Sequence, residues 1–310
     1  MLDLWNIGDG FVLALLAMTA LVGISRRSSR GKQRGFFFMR RLMNLQPTRV
    51  SLSVLGILPF ALLALLYLVA SDLRLADNPN DKLLPGLTSF VDSVQTLALQ
   101  EDKRTGNITL WTDTAASLQR LGIGLGIGAL AGLVFGILTG ILPYARAAFS
   151  PLIAALSMIP PLAILPILFI VFGLGELAKI VLIVFGIAPF IMRDIGMRVG
   201  EIPAEQLIKV QTLGASTWTT VVRVVLPQML PRLIDAVRLS LGAAWLFLIA
   251  AEAIAATDGL GYRIFLVRRY MAMDIILPYV VWITLLAFVM DLLLRQISRR
   301  AFPWYQRSRT

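Results

Sequence analysis

Apolar positions along this chain gather into blocks much longer than the strands or helices of a water-soluble core. Such blocks run from Val50 to Ala70, Leu118 to Leu142, Ala147 to Phe172, Leu233 to Ala256 and Ile275 to Leu294. Crossing about 30 Å of hydrocarbon takes roughly 20 helical residues, so each block predicts a membrane-spanning helix. A sixth block, Leu177 to Ile195, carries Lys179 and Arg193 near its ends, where long side chains are expected to snorkel to the headgroups. The apolar run from Phe11 to Ile24 is shorter. Asp3 and Asp9 precede it and Arg26 and Arg27 follow it, the reverse of the charge order of a signal peptide, so it is read as a retained extra helix. A span, a membrane-surface helix and a basic patch on anionic lipid all remain open for residues 1 to 49.

Two polar stretches carry structure of their own. Outside the spans, Ser71 to Ser117 contains Pro79, Asn80, Pro85 and Gly86, then an amphipathic run from Leu87 to Leu99 that predicts a short surface helix. Between Met192 and Leu233 the punctuation predicts two short helices. Pro203 takes the first position of one, Glu205 lies in its first turn, and Gly214 ends it near residue 213. Ser216 caps the second, Pro227 stops it, and Pro231 opens the next span.

Composition agrees with this picture. With 57% hydrophobic and 15% charged residues, and a mean hydropathy of +0.78, the chain holds more apolar surface than one soluble core can bury. The expected class is an all-α polytopic membrane protein. A net charge of +11 would suggest nucleic acid in a soluble domain. Here membrane orientation accounts for it. Placing Arg26 to Arg49 inside also places Arg146, Arg193, Arg198, Lys209, Arg223, Arg232, Arg238 and the basic residues from Arg295 to Arg309 inside, while Asp72, Asp77, Asp81, Asp92, Glu101, Asp102 and Asp113 fall outside. The expected topology is N-out and C-in over seven helices, with no nucleic-acid partner and no inference about the charge of a solute.

Absent residue types exclude much chemistry. The chain has no Cys and no His, which removes thiol nucleophiles, imidazole bases and the usual zinc ligands. No G-x-x-x-x-G-K-[ST] run occurs, so ATP-driven work would need another subunit. Neither a membrane Ser/His dyad nor a G-x-G-D aspartyl motif is available to an intramembrane protease, and no enzyme activity is expected.

Several residues stand out as candidates. Gly124, Gly128, Gly132, Gly136 and Gly140 recur every four residues, a smooth helix face suited to close packing. Ser157, Met158, Pro160 and Pro161 interrupt a span, with Pro166 further on. Freed carbonyls there are tolerated against protein or a watery cavity, so a break lining a translocation path and a plain structural kink both remain open. Asp235 with Arg238, and Asp291 with Arg295, have the spacing of local ion pairs. Glu252 near an outer helix end either faces a path or bonds a neighbouring helix. It is the lone candidate for the buried carboxylate that a stand-alone ion-coupled carrier needs, and no internal repeat supports that alternative or a channel.

The loop after Met192 brings a specific resemblance. Gln211-Thr212-Leu213-Gly214-Ala215-Ser216 followed by Arg223-Val224-Val225-Leu226-Pro227 resembles the cytoplasmic coupling loop of ABC importer permeases, E-A-A-x3-G-x9-I-x-L-P. Gly214 fits the glycine, Val224 the isoleucine, and Leu226-Pro227 the closing pair. Ile208, Lys209 and Val210 stand where Glu-Ala-Ala would be, and Glu205, one turn earlier, is the nearest acid. The runs Ser117-Leu118-Gln119-Arg120, Ile159-Pro160-Pro161-Leu162-Ala163, Phe172 to Lys179, Ala250 to Ala256 and Gly259-Leu260-Gly261-Tyr262 are similar to the nitrate/sulfonate/taurine-type permeases.

The resemblance implies a type I ABC importer permease core of six helices over residues 50–310, its coupling loop at about 196–231, preceded by an extra helix and basic loop over 1–49. It implies an inner-membrane protein with a cytoplasmic C-terminus and a second permease chain, a homodimer. A periplasmic solute-binding protein and a separate ABC ATPase that binds ATP and Mg would be its partners, with lipid around it and no cofactor in this chain. The coupling residues it implies are Glu205, Lys209, Gln211, Thr212, Leu213, Gly214, Ala215, Ser216, Leu226 and Pro227.

Overall fold

Inside hydrocarbon an α-helix satisfies every backbone donor and acceptor within its own segment, which is why each apolar block becomes a helix. The computed structural model describes residues 48–78, 83–101 and 106–307. The expected helix Phe11 to Ile24 and its basic loop lie outside the described residues, as do Pro79, Asn80, Asp81, Asp102 and Arg309. The chain divides into two compact units, residues 1–61 and 62–310. The described part of the first is the start of helix α1 (Arg49–Asp77), whose apolar side chains from Val50 to Phe60 are mostly exposed.

The second unit opens with the rest of α1. There the Tyr67 hydroxyl donates to the Pro85 carbonyl at 2.8 Å and the Ser71 hydroxyl to that of Leu84 at 3.0 Å. These bonds hold the entry to α2 (Leu87–Leu99), the surface helix expected from the sequence. After it come α3 (Thr109–Ile141), α4 (Pro143–Met158), a 3-10 turn at Pro161–Ile164, α5 (Leu165–Phe172) and α6 (Glu176–Gly200). Then follow α7 (Ala204–Thr212), α8 (Thr217–Thr220), a π-helical turn at Val221–Val225, α9 (Leu226–Ala255), α10 (Leu260–Arg268), α11 (Met273–Ala301) and α12 (Pro303–Arg307). Among the described residues five stretches are long and apolar enough to cross a membrane, and α4 with α5 forms a sixth candidate bent by 85° at its break.

The packing of α3 on α6 decides how to count that bent pair. The α3 glycines meet β-branched side chains of α6 in strict order: Gly124 on Ile183, Gly128 on Ile187, Gly132 on Ile191, Gly136 on Ile195 and Gly140 on Val199. Residue numbers rise together on the two helices, so they run parallel. A chain that descends α3 and descends α6 must climb back between them, and α4 with α5 is all that connects them. The bent pair is therefore one crossing, giving six from α1 to α11.

The boundary between α8 and α9 differs from expectation. Pro227 does not stop a helix; α8 continues through the π turn into α9, with Pro231 inside it. The wide turn, in which the Leu226 amide reaches back to the Val221 carbonyl, makes room for a residue lacking an amide donor. The Gln228 side-chain amide donates to the Val224 carbonyl at 2.9 Å, a further bond within this turn. The π turn carries the chain through the point where the sequence predicts a stop.

Candidate functional site

Three features of the second unit bear on function: the segment joining α6 to α9, the break between α4 and α5, and a buried polar cluster at the opposite end of the bundle from that joining segment.

The joining segment is built by its caps. Pro203 is the residue before α7, not its first helical residue as expected, and its carbonyl accepts from the Gln206 amide at 3.0 Å. At the other end the Ala215 amide bonds the Val210 carbonyl at 3.2 Å and the Gly214 amide that of Gln211 at 2.9 Å. This paired pattern needs a left-handed residue, and Gly214 supplies it at φ +79°. Ser216 then caps α8, its hydroxyl accepting from the Thr219 amide at 3.2 Å. Glu205 lies in the first turn of α7 and Lys209 in the last, where each complements the helix dipole. Thr212 spends its hydroxyl on the Lys209 carbonyl. Although the segment is short and well capped, it leaves apolar side chains uncovered: Ile208, Leu213 and Trp218 are 57%, 84% and 75% exposed. Leu226 and Pro227 belong to the first turn of α9.

At the break, Met158 and Pro160 are exposed and Pro161 half-buried. Ser157 donates to the Ala154 carbonyl at 2.8 Å and accepts from Arg193 of α6 at 3.1 Å. Arg193 and Arg146 line a cleft of about 440 Å³ between α3, α4 and α6.

The polar cluster centres on Arg120, a residue that the sequence reading did not weigh as an intramembrane charge. Arg120 is 4% exposed. Its guanidinium donates to Glu252 at 2.8 Å, grips both oxygens of Glu176 and bonds the Asp258 side chain and carbonyl. Ser117, one turn earlier, donates to Glu252 at 2.8 Å and accepts from the Leu260 amide at 2.9 Å. Asp113, another turn earlier, accepts from the Gly259 amide at 3.0 Å, Arg263 at 2.9 Å and Tyr279 at 3.1 Å. The Gly261 amide donates to Glu252 at 2.9 Å, so three successive amides opening α10 are satisfied by buried side chains. Gly259 and Gly261 are required here, because a Cβ on either would come within 3.0 Å of Glu252 or of Ile249 backbone atoms. Burial alone would depress the Arg263 guanidinium, but the adjacent Asp113 more than offsets this and its pKa lies above the ordinary arginine value.

Of the two readings of Glu252 the structure has the neighbouring-helix one: it is 0% exposed and bonded to Ser117 and Arg120 of α3, and faces no path in this conformation. One expectation changes. Lys179 does not snorkel; it is 2% exposed and donates to Glu176 at 2.8 Å. A second cluster, nearer the joining segment, widens the two expected ion pairs into one. Arg238 bonds Asp235 at 3.4 Å and Asp291 at 2.7 Å, Arg295 bonds Asp291 at 3.1 Å, and Tyr305 donates to Asp235 at 3.1 Å. Among the described residues no group of three acidic, His or Cys side chains is placed to hold a metal.

Comparisons with known proteins fit this geometry. Residues 129–303 match the family described as binding-protein-dependent transport system inner membrane component. The chain is similar to the taurine transport system permease protein TauC of Escherichia coli (strain K12), 38% identical over 198 residues that cover 64% of this chain and 72% of that one. It is also similar to the nitrate import permease protein NrtB of Leptolyngbya laminosa, 28% identical over 195 residues, 63% of this chain and 70% of that one. In fold it is similar to a chain of the MetNI methionine ABC transporter in an inward-facing conformation, with a TM-score of 0.54 and 23% identity over 62% of this chain and 96% of that one.

Proposed function

The chain belongs to the binding-protein-dependent transport system inner membrane components, and from that membership we propose that its segment from Ala204 to Pro227 is where a separate ATPase moves it. The protein is a permease subunit of a bacterial ABC importer, a multi-pass inner-membrane component whose solute arrives on a binding protein and whose energy comes from another chain. A stand-alone channel or carrier is thereby set aside.

The observation that carries the coupling role is the exposure of Ile208, Leu213 and Trp218 on a helix-turn-helix closed by the Gly214 turn and the Ser216 cap. A rigid, apolar, outward-facing knob joined directly to a long span transmits displacement, because the π turn leaves no flexible loop between α8 and α9. ATP and Mg2+ sit on the partner ATPase in this reading. A second copy of this chain completes the path, with the break at Ser157 to Pro161 lining it, and lipid covers the remaining apolar faces. Closure of the ATPase pair would bias the permease between inward- and outward-open states through α7 and α8.

Gly214→Asp tests the reading. A Cβ at Gly214 meets nothing within 4 Å, but its φ of +79° disfavours an L side chain, so the substitution strains the turn as well as charging the proposed contact. Leu213→Asp, at φ −80° and 84% exposed, adds the charge without that strain and is expected to give the same result. The expected result is loss of solute-stimulated ATPase activity in the reconstituted complex, with the variant still inserted and monodisperse. Unchanged stimulation, or purification of the native chain without any Walker A protein in several mild detergents, overturns the coupling role.

A further inference from the structure

Gly126 is a glycine with no neighbour to make room for. The stripe from Gly124 to Gly140 is filled by α6, whereas Gly126 points to another side of α3, and a Cβ there would meet nothing within 4 Å. It opens onto a groove of about 450 Å³ between α3, α9 and α11, within the size range of small-molecule sites. Ala129 continues its floor, Leu233 and Val237 form one wall and Leu293 and Ile297 the other, with no polar side chain among the lining residues. Along α11 the groove runs from Met290 to Ile297, about 6 to 17 Å from the helix end at Ala301. Half of a hydrocarbon core is about 15 Å thick, so the groove spans one leaflet. That leaflet lies on the side of the coupling segment, where α9 begins and α11 ends, the two tied by Arg238 on Asp291.

The mouth of the groove carries charge. Met290, Leu293, Ile297 and Arg300 follow one another at i, i+3, i+7 and i+10 along a single face of α11, so Arg300 stands where the groove meets the headgroups. Other cations at this end are paired: Arg232 with Glu201, and Arg238 and Arg295 with Asp291. Arg299 and Arg300 are exposed, and among the described residues neither has a carboxylate within ion-pair distance. The Gln296 side-chain oxygen, turned toward Arg300 at 3.1 Å, is a neutral partner. An apolar groove one leaflet deep, ended by two unpaired guanidinium groups, matches the acyl chain and phosphate of an anionic phospholipid. A second copy of this chain fits less well. Copies in one membrane are related by an axis along its normal, so a two-fold interface over the groove would bring like charges together at the same depth.

We propose that the groove between α3, α9 and α11 is a binding site for an anionic phospholipid, its acyl chain lying over Gly126 and Ala129 and its phosphate resting on Arg300 with Arg299 beside it. The inference needs only that these helices span a membrane and is independent of the coupling role. A lipid seated there would fill the gap between α3 and the two helices that the Arg238 cluster ties together.

The chain has no Cys, so a single fluorophore can be placed at will. Leu292→Cys, beside Leu293 on the rim and 42% exposed, is labelled with bimane in the full chain and reconstituted into phosphatidylcholine vesicles. The vesicles carry rising fractions of phosphatidylglycerol, or of phosphatidylcholine, bearing a nitroxide on the acyl chain. The expected result is saturable quenching that favours phosphatidylglycerol by about fivefold. Arg299→Gln combined with Arg300→Gln should abolish the preference, and Arg300→Lys alone should keep it, because lysine also binds phosphate. Gly126→Phe, at a position with open space, fills the groove and should abolish the preference with both arginines in place. Bimane at Leu63→Cys, on α1 and 62% exposed, should show none. A preference that survives the double arginine variant or Gly126→Phe, or an equal one at Leu63→Cys, reduces the effect to general surface attraction and overturns the site. Quenching by neither lipid, the outcome when a second copy or another segment of this chain covers the groove, overturns it too. No ATP or ATPase takes part, so failure here leaves the coupling role standing, and loss of the coupling role leaves the quenching unchanged.

Discussion

At the scale of single residues, Arg120 carries the largest share of the buried electrostatics. Three carboxylates converge on its one guanidinium, and Glu252 has no exposure through which water could replace it. Removing one partner of a buried pair leaves the other charge uncompensated, at a cost of about 3–5 kcal/mol. Arg120→Met should therefore lower the melting temperature of the solubilised chain markedly. Arg120→Lys should rescue it little, because a point charge cannot face three acceptors at once. Arg120→Met combined with Glu252→Leu should recover part of the loss; a melting temperature unchanged in Arg120→Met would show that the cluster is not a structural bond. The sequence exposed Glu252 as a charge near a helix end, but its partner was hidden. Ser117 and Arg120 were visible only as part of a family-like run, and the span was expected to begin at Leu118, where an arginine passes for a headgroup anchor. The real helix begins at Thr109, which places Arg120 three turns inside it, where a lone charge demands a partner.

At the scale of elements, α3 and α6 show what four-residue spacing encodes. The glycine stripe was legible in the sequence; its partners Ile183, Ile187, Ile191, Ile195 and Val199 were not singled out there, because nothing in one sequence says which stripe meets which. Their fit is close: a Cβ on Gly132 would lie 2.3 Å from the Ile191 side chain. Gly132→Val should force the helices apart and cost about 1–3 kcal/mol or more, read as a lower melting temperature, with partial recovery on adding Ile191→Ala. Gly126→Val is the control, since nothing lies within 4 Å of that position. Equal melting temperatures for the two glycine variants would refute the proposed packing role. The π turn was illegible for the opposite reason. A proline after a short helix usually means a stop, and only tertiary packing of Val225 and Met229, both fully buried, holds the chain in the wider turn that lets it continue.

At the scale of the whole chain, the parallel register of α3 and α6 fixes orientation in a way that can be measured. Asn107 precedes α3 and Leu213 follows α7, so three crossings separate them if the bent pair spans, and two if it enters and leaves by one face. Both residues are exposed. In the absence of native cysteines, Asn107→Cys and Leu213→Cys can each be probed with a membrane-impermeant maleimide. Asn107→Cys should label in intact spheroplasts and Leu213→Cys only after permeabilisation. A cysteine at Trp304, two crossings further on in α12, should behave as Leu213→Cys does, which would put the C-terminus inside. The same orientation places the two polar clusters at opposite faces. Asp235 and Glu252 are separated by about 25 Å along α9, so the Arg120 cluster closes the outer ends of α3, α6 and α9 while the Arg238 cluster ties α9, α11 and α12 beside the coupling segment. In the proposed coupling role, displacement of α7 would reach the Arg120 cluster through one continuous helix held at both ends. Labelling of Asn107→Cys and Leu213→Cys from the same side would make the bent pair re-entrant, and with it remove the parallel pairing on which this route depends.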